Sequence, residues 1–111
     1  KHQLGRLGWV ADYPIEYNFL YPIFNSKSGD NKSFYSNTAV DDAIEAAEKV
    51  TDGDARIAEF QKINKTIGES NPVAPIMFYK HHHVGSARLN DFMFSAMYLA
   101  NFQKVWITPS K

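Results

Sequence analysis

Apolar positions recur along the chain with two different periods. From Thr38, residues Val40, Ala43, Ile44, Ala47 and Val50 recur at helical spacing with Asp41, Asp42, Glu45 and Glu48 between them. This predicts an amphipathic helix with Thr38 as N-cap, an acidic first turn suited to the helix dipole, and carboxylates on a solvated face. Asp52 is placed to cap a second helix in which Ile57, Phe60, Ile63 and Ile67 form a buried stripe, with Gly68 as its stop before Asn71-Pro72. Residues 3–11 alternate instead: Leu7, Trp9 and Ala11 share one face, and Arg6, Gly8 and Val10 the other. A strand is predicted there, ended at Pro14, which restricts Tyr13 to an extended conformation and cannot donate to a ladder.

The remaining segments are less regular. Residues 15–24 carry Tyr17, Phe19, Leu20, Tyr21, Ile23 and Phe24, but Pro22 interrupts any helix, leaving a short-helix or irregular segment. Residues 25–37 are polar and predict a loop with Phe34 and Tyr35 anchoring its end. Residues 73–79 form a short apolar run expected as a buried strand with Pro75 near its start or at an edge. Further extended chain is expected through His83-Val84 and at residues 104–107, whereas residues 89–102, aromatic and Met-rich, take no firm assignment.

Composition narrows the function classes. The chain has 111 residues, 12 Lys+Arg against 12 Asp+Glu, and no Cys. A chain this long buries about two thirds of its extended surface, which suits one core. Zero formal net charge without a basic cluster removes the electrostatic footprint that nucleic-acid backbone binding needs. The absence of Cys excludes disulfides, Cys-based zinc sites and thiol catalysis, and fits either redox compartment. No apolar run reaches the roughly 20 residues of a membrane helix. A chain that starts Lys1-His2-Gln3, with neither an initiator Met nor a signal-peptide stretch, is expected to be the later part of a longer protein.

Most chemical constellations are missing. His81, His82 and His83 suggest metal ligation, but in extended chain only His81 and His83 converge, and nothing nearby completes a ligand set. They read as a solvated strand end, with no metal site expected. There is no GxSxG elbow and no glycine-rich phosphate loop, so neither an enzyme nor a nucleotide cofactor is expected. What stands out is residues 6–14. Gly8 admits another backbone closely, Trp9 offers a rigid apolar wall, and Asp12 sits where the strand must end. Arg6 and Asp12 fall on one face of a straight strand, roughly 20 Å apart. Such a pair suits the two ends of a zwitterionic peptide, Asp12 for the ammonium and Arg6 for the carboxylate; a charge at each end of an ordinary core strand is the plain alternative.

In order, the pieces Gly8-Trp9-Val10-Ala11-Asp12-Tyr13-Pro14, Tyr17-Asn18-Phe19-Leu20, residues 31–35 and residues 37–41 resemble the C-terminal part of the oligopeptide and dipeptide substrate-binding proteins of ABC importers (family 5 extracellular solute-binding proteins). The resemblance continues through Val50-Thr51-Asp52, Arg56, residues 71–76 and Val105-Trp106-Ile107. It implies an α+β fragment of a two-lobed, type II periplasmic-binding-protein-like fold, with two packed helices against short mixed strands. Residues 1–89 would belong to the C-terminal lobe and carry the ligand-facing strand; residues 90–111 would return to the other lobe.

The same resemblance implies capture of an oligopeptide without chemistry, by an extracytoplasmic protein at the periplasm or cell surface, with or without a lipid anchor in the parent, that delivers to the ABC permease. Asp12 would pair with the peptide's α-ammonium, the backbone of Gly8, Trp9 and Val10 would lie along the peptide as an added strand, Arg6 would approach its carboxylate, and Tyr13 would line the site. The chain departs from the family pattern at Pro14-Ile15-Glu16-Tyr17, where many relatives carry an acidic Asp-Pro-like turn. The ligand class therefore stays open between a peptide, an oligosaccharide stacked on Tyr13, Tyr17, Phe19 and Tyr21, and a metal complex. A second reading is an α+β packing module without a ligand, whose exposed Trp9, Tyr13 and residues 92–98 would drive self-association.

Overall fold

The structure is a computed structural model that describes residues 3–94 and 100–110. The chain divides into two compact units, Lys1–Pro75 and Ile76–Lys111. The first is helical. α1 spans Tyr17–Phe24, α2 Thr38–Glu48 and α3 Gly53–Ser70, and each packs on the other two. Their core is Leu20 and Phe24 from α1, Val40, Ile44 and Ala47 from α2, and Phe60, Ile63 and Ile67 from α3. Burying a side chain of this size contributes about 1.5–3 kcal/mol. The two helices expected from the period of the sequence are present, but they pack against α1 rather than against short strands; among the described residues this unit holds no strand.

Several helix ends and faces differ from expectation. Asn37, not Thr38, caps α2: its side chain accepts from the backbone N–H of Ala39 and Val40, and Thr38 opens the helix. Asp52 caps α3 as expected, accepting from Ala55 N at 2.8 Å. Gly68 does not stop α3. The helix runs to Ser70, and Asn71 takes the left-handed position at φ 49°, its N–H donating to the Gly68 carbonyl at 3.2 Å. Pro72 disfavours right-handed helix at residue 71, and asparagine tolerates the left-handed alternative. Ile57, in the first turns of α3, is exposed, leaving Phe60, Ile63 and Ile67 as the buried stripe.

Asp41 is the largest departure on α2. Expected on a solvated face, it is buried, and its carboxylate accepts from Ser26 N at 2.9 Å and from Ser26 Oγ at 2.5 Å. It ties the polar loop to the helix. Within that loop buried Asn31 donates to the carbonyls of Asn25 and Tyr35 at 3.2 and 2.7 Å. Tyr35 anchors the loop's end as expected, its ring edge-on to Phe24 at 6.2 Å. Phe34 does not share that role: with φ 56° its side chain turns outward and is exposed.

The second unit is a nest of two antiparallel ladders. β1 (Leu89–Asn90) pairs with β4 (Trp106–Ile107), and β2 (Met93–Phe94) pairs with β3 (Ala100–Asn101). Arg88 Nε donates to the Thr108 carbonyl at 2.7 Å, Trp106 Nε1 to Asp91 Oδ2 at 3.1 Å, and the Phe92 and Phe102 rings meet at 5.7 Å. The strand expected at residues 104–107 is therefore present in its second half. The buried strand expected at residues 73–79 is not: the run is irregular, and Ile76, Met77, Phe78 and Tyr79 are all exposed, as is Val84. A strand exists by pairing, and no described segment forms a ladder with this one. Among the described residues no helix is long and apolar enough to cross a membrane.

Candidate functional site

Residues 6–14 form no strand. They run irregularly, and the backbone groups of Gly8, Trp9 and Val10 make no hydrogen bond to another described residue. What fixes the segment is α1. The Trp9 indole N–H donates to the backbone carbonyl of Asn18 at 2.6 Å, and the backbone N–H of Asp12 donates to Asn18 Oδ1 at 2.7 Å. Asn18 is itself buried. Between the two contacts Ala11 turns inward and is buried, while Gly8, Val10 and Asp12 stay exposed. The alternation in the sequence is thus real in its burial, Trp9 and Ala11 inward and Val10 outward, though no ladder produces it. Leu7, the third member of the expected inner face, is exposed.

The turn after Asp12 is tight. The Ile15 N–H donates to the Tyr13 carbonyl at 2.9 Å across Pro14, and Tyr13's ring is partly exposed. The Asp12 carboxylate meets no ion-pair or hydrogen-bond partner among the described residues. Arg6 lies on the exposed stretch before Trp9. The six predicted residues therefore form one continuous surface segment, of which Trp9 and Asp12 are gripped by the helix. Unpaired main-chain groups beside an unpaired carboxylate are what an extended ligand with a cationic end could use.

The other candidates separate from it. Tyr17 and Tyr21 stack at 5.1 Å and pack against the helical core, with burial and then the Glu48 carboxylate raising the Tyr17 hydroxyl pKa; Phe19 is exposed. His81 and His83 do share a side of the chain, their rings 6.4 Å apart with an angle of 20° between planes. Among the described residues no three metal-ligating side chains gather. Two open depressions, of about 460 and 500 Å³, are lined by loop residues including Ser26, Asn31 and Lys32, and by residues 83–86 with Leu89 and Phe92. None of the six predicted residues lines either one. Of the aromatic surface expected at residues 92–98, residues 95–99 lie outside the described residues.

Asn18 is the residue holding this segment that hydrophobic pattern and spacing did not single out. Its signal was Pro22, four positions on: a proline lacks the N–H that would have bonded the Asn18 carbonyl. Asn18 stands in the piece Tyr17-Asn18-Phe19-Leu20 that carries the resemblance, but nothing in its spacing announces a partner.

No family model matches the chain. Curated relatives do. It is 30% identical over 78 residues to the oligopeptide-binding protein OppA of Bacillus subtilis, covering 70% of this chain and 14% of that protein. A putative binding protein of Haemophilus influenzae is 35% identical over 77 residues, 69% of this chain and 15% of its own length. The periplasmic oligopeptide-binding protein OppA of Escherichia coli is 30% identical over 83 residues, with 71% and 15% covered. The chain is similar to part of several peptide-binding proteins. It spans about one seventh of the length of these relatives, and no solved structure matches it. Their names describe binding proteins rather than enzymes.

Proposed function

We propose that this chain is the ligand-facing C-terminal part of an extracytoplasmic solute-binding protein that captures oligopeptides for an ABC importer, without chemistry on them. The observation that carries the reading is Asp12: its backbone is held by Asn18 while its carboxylate has no partner among the described residues. It is supported by similarity to proteins named for oligopeptide and dipeptide binding. The ligand's α-ammonium would pair with Asp12, and its main chain would bond Gly8, Trp9 and Val10, whose backbone groups have no bonds to other described residues. Recognition of terminal charges and backbone is blind to side chains, so many peptides would be accepted. Arg6 and Tyr13 flank this segment, and the remaining wall of the cleft would come from the rest of the full-length protein.

Losing the carboxylate from a closed site strands the ligand's ammonium, at a cost of about 3–5 kcal/mol. Calorimetry on the full-length protein is expected to show Asp12→Asn binding peptide at least about a hundredfold more weakly, a change of more than two decades at 1.4 kcal/mol each. Unchanged affinity would overturn the assignment.

A further inference from the structure

We infer that Asn18 is the positioning residue for Asp12 and that Pro22 is what frees it to act, an inference that rests on the peptide-binding reading above. Pro22 lies inside α1 and has no N–H, so the helix cannot satisfy the carbonyl four residues earlier, that of Asn18. The Trp9 indole N–H takes that vacated acceptor at 2.6 Å. From the same residue, Oδ1 accepts the Asp12 N–H at 2.7 Å. One buried asparagine thus holds the ligand-facing segment at residues 9 and 12 at once. The intervening Ala11 packs inward.

This arrangement has a consequence for specificity. A carboxylate whose own backbone N–H is pinned loses less freedom on meeting a fixed cation, and that saving appears only for a ligand that presents one. The Asn18 side chain therefore acts on the preference for a free amino terminus, while its carbonyl, freed by Pro22, acts through Trp9 on the stretch that carries Asp12 and on the main chain beside it. An alanine at position 22 restores a helix donor that competes with Trp9 for the Asn18 carbonyl, while leaving the buried side chains of α1 in place. Pro22→Ala is thus the cleaner test beside Asn18→Ala, which also opens a buried site.

The test compares trialanine with its N-acetyl form by calorimetry on the full-length protein. The unsubstituted protein is expected to prefer the free amine strongly. Asn18→Ala and Pro22→Ala are each expected to cut that preference about three- to tenfold, the worth of one ordinary hydrogen bond. Trp9→Phe should match Pro22→Ala, and the variant carrying both should lose no more than either alone, because both break the same Trp9–Asn18 bond, whereas Asn18→Ala removes the acceptor of the Asp12 N–H. The indole N–H resonance of Trp9 should also shift in Pro22→Ala. If the resonance shifts and the preference for the free amine survives in both Pro22→Ala and Asn18→Ala, the positioning role is overturned while the Asp12 reading stands. If the unsubstituted protein shows no preference, or binds neither peptide, the Asp12 reading falls and this inference with it.

Discussion

Residues 38–70 and residues 73–84 are both rich in apolar side chains, yet only the first segment contributes to a buried core. In the helical unit Ile44 is fully enclosed and Phe60 nearly so, whereas Phe78 and Val84 are as exposed as in an extended chain. The difference lies in what each segment can do alone. A helix satisfies its own backbone and needs only a second helix to cover its stripe, and α1, α2 and α3 supply this for one another. An extended run must find a ladder for its backbone and a layer for its side chains, and residues 73–84 have neither among the described residues. Hydrophobicity locates material for a core; periodicity decides whether the segment brings its own partners.

Substitutions on the two sides of this contrast should behave differently. The largest effect is expected for Phe60→Ala, which empties the centre of the helical core at a cost of about 3–5 kcal/mol. Denaturant unfolding followed by far-ultraviolet circular dichroism would register it as a much lower midpoint, and a loss below 1 kcal/mol would break the contrast. Asp41→Ala should come next. It removes the acceptor for both Ser26 donors and is expected to cost about 1–3 kcal/mol by the same measurement, concentrated on the loop that Asp41 ties to α2. Phe78→Ser should change stability by no more than about 0.5 kcal/mol, since its side chain is already in water. Its effect belongs elsewhere: light scattering should rise at a higher protein concentration than for the unsubstituted chain if residues 76–79 mediate self-association.

The helices were legible because their signals are local. Val40, Ile44 and Ala47 share a stripe whatever the rest of the chain does, and Asp52 needs only the three residues after it to cap α3. Signals that depend on distant partners misled. The alternation of residues 3–11 correctly turned Trp9 and Ala11 inward, but an alternating pattern does not say whether a sheet or a helix receives that face. Acidic spacing on α2 placed Asp41 in solvent, because the Ser26 pair that buries it lies 15 positions away in sequence. At the end of α3 two residues competed for one task, and Pro72 decided for Asn71 over Gly68 by constraining its neighbour. In the candidate site, Asp12 and Trp9 stood out in their own segment, whereas the Asn18 contacts to both did not, since the carbonyl Trp9 uses is freed by an N–H that Pro22 lacks and the Asp12 bond is to a side chain six positions on.

The nested ladders of the second unit also set an order in time. Met93 and Asn101 are eight positions apart, Leu89 and Ile107 eighteen. Closing the shorter loop first is easier by about 0.7 kcal/mol of chain entropy, and once it is closed the outer pair has only a few residues left to bring together. Loop entropy therefore favours the inner pairing forming first, with the outer pairing following outward from β2 and β3. A substitution that weakens the inner pair should slow the formation of both ladders, while one confined to Trp106 or Ile107 should chiefly hasten their opening.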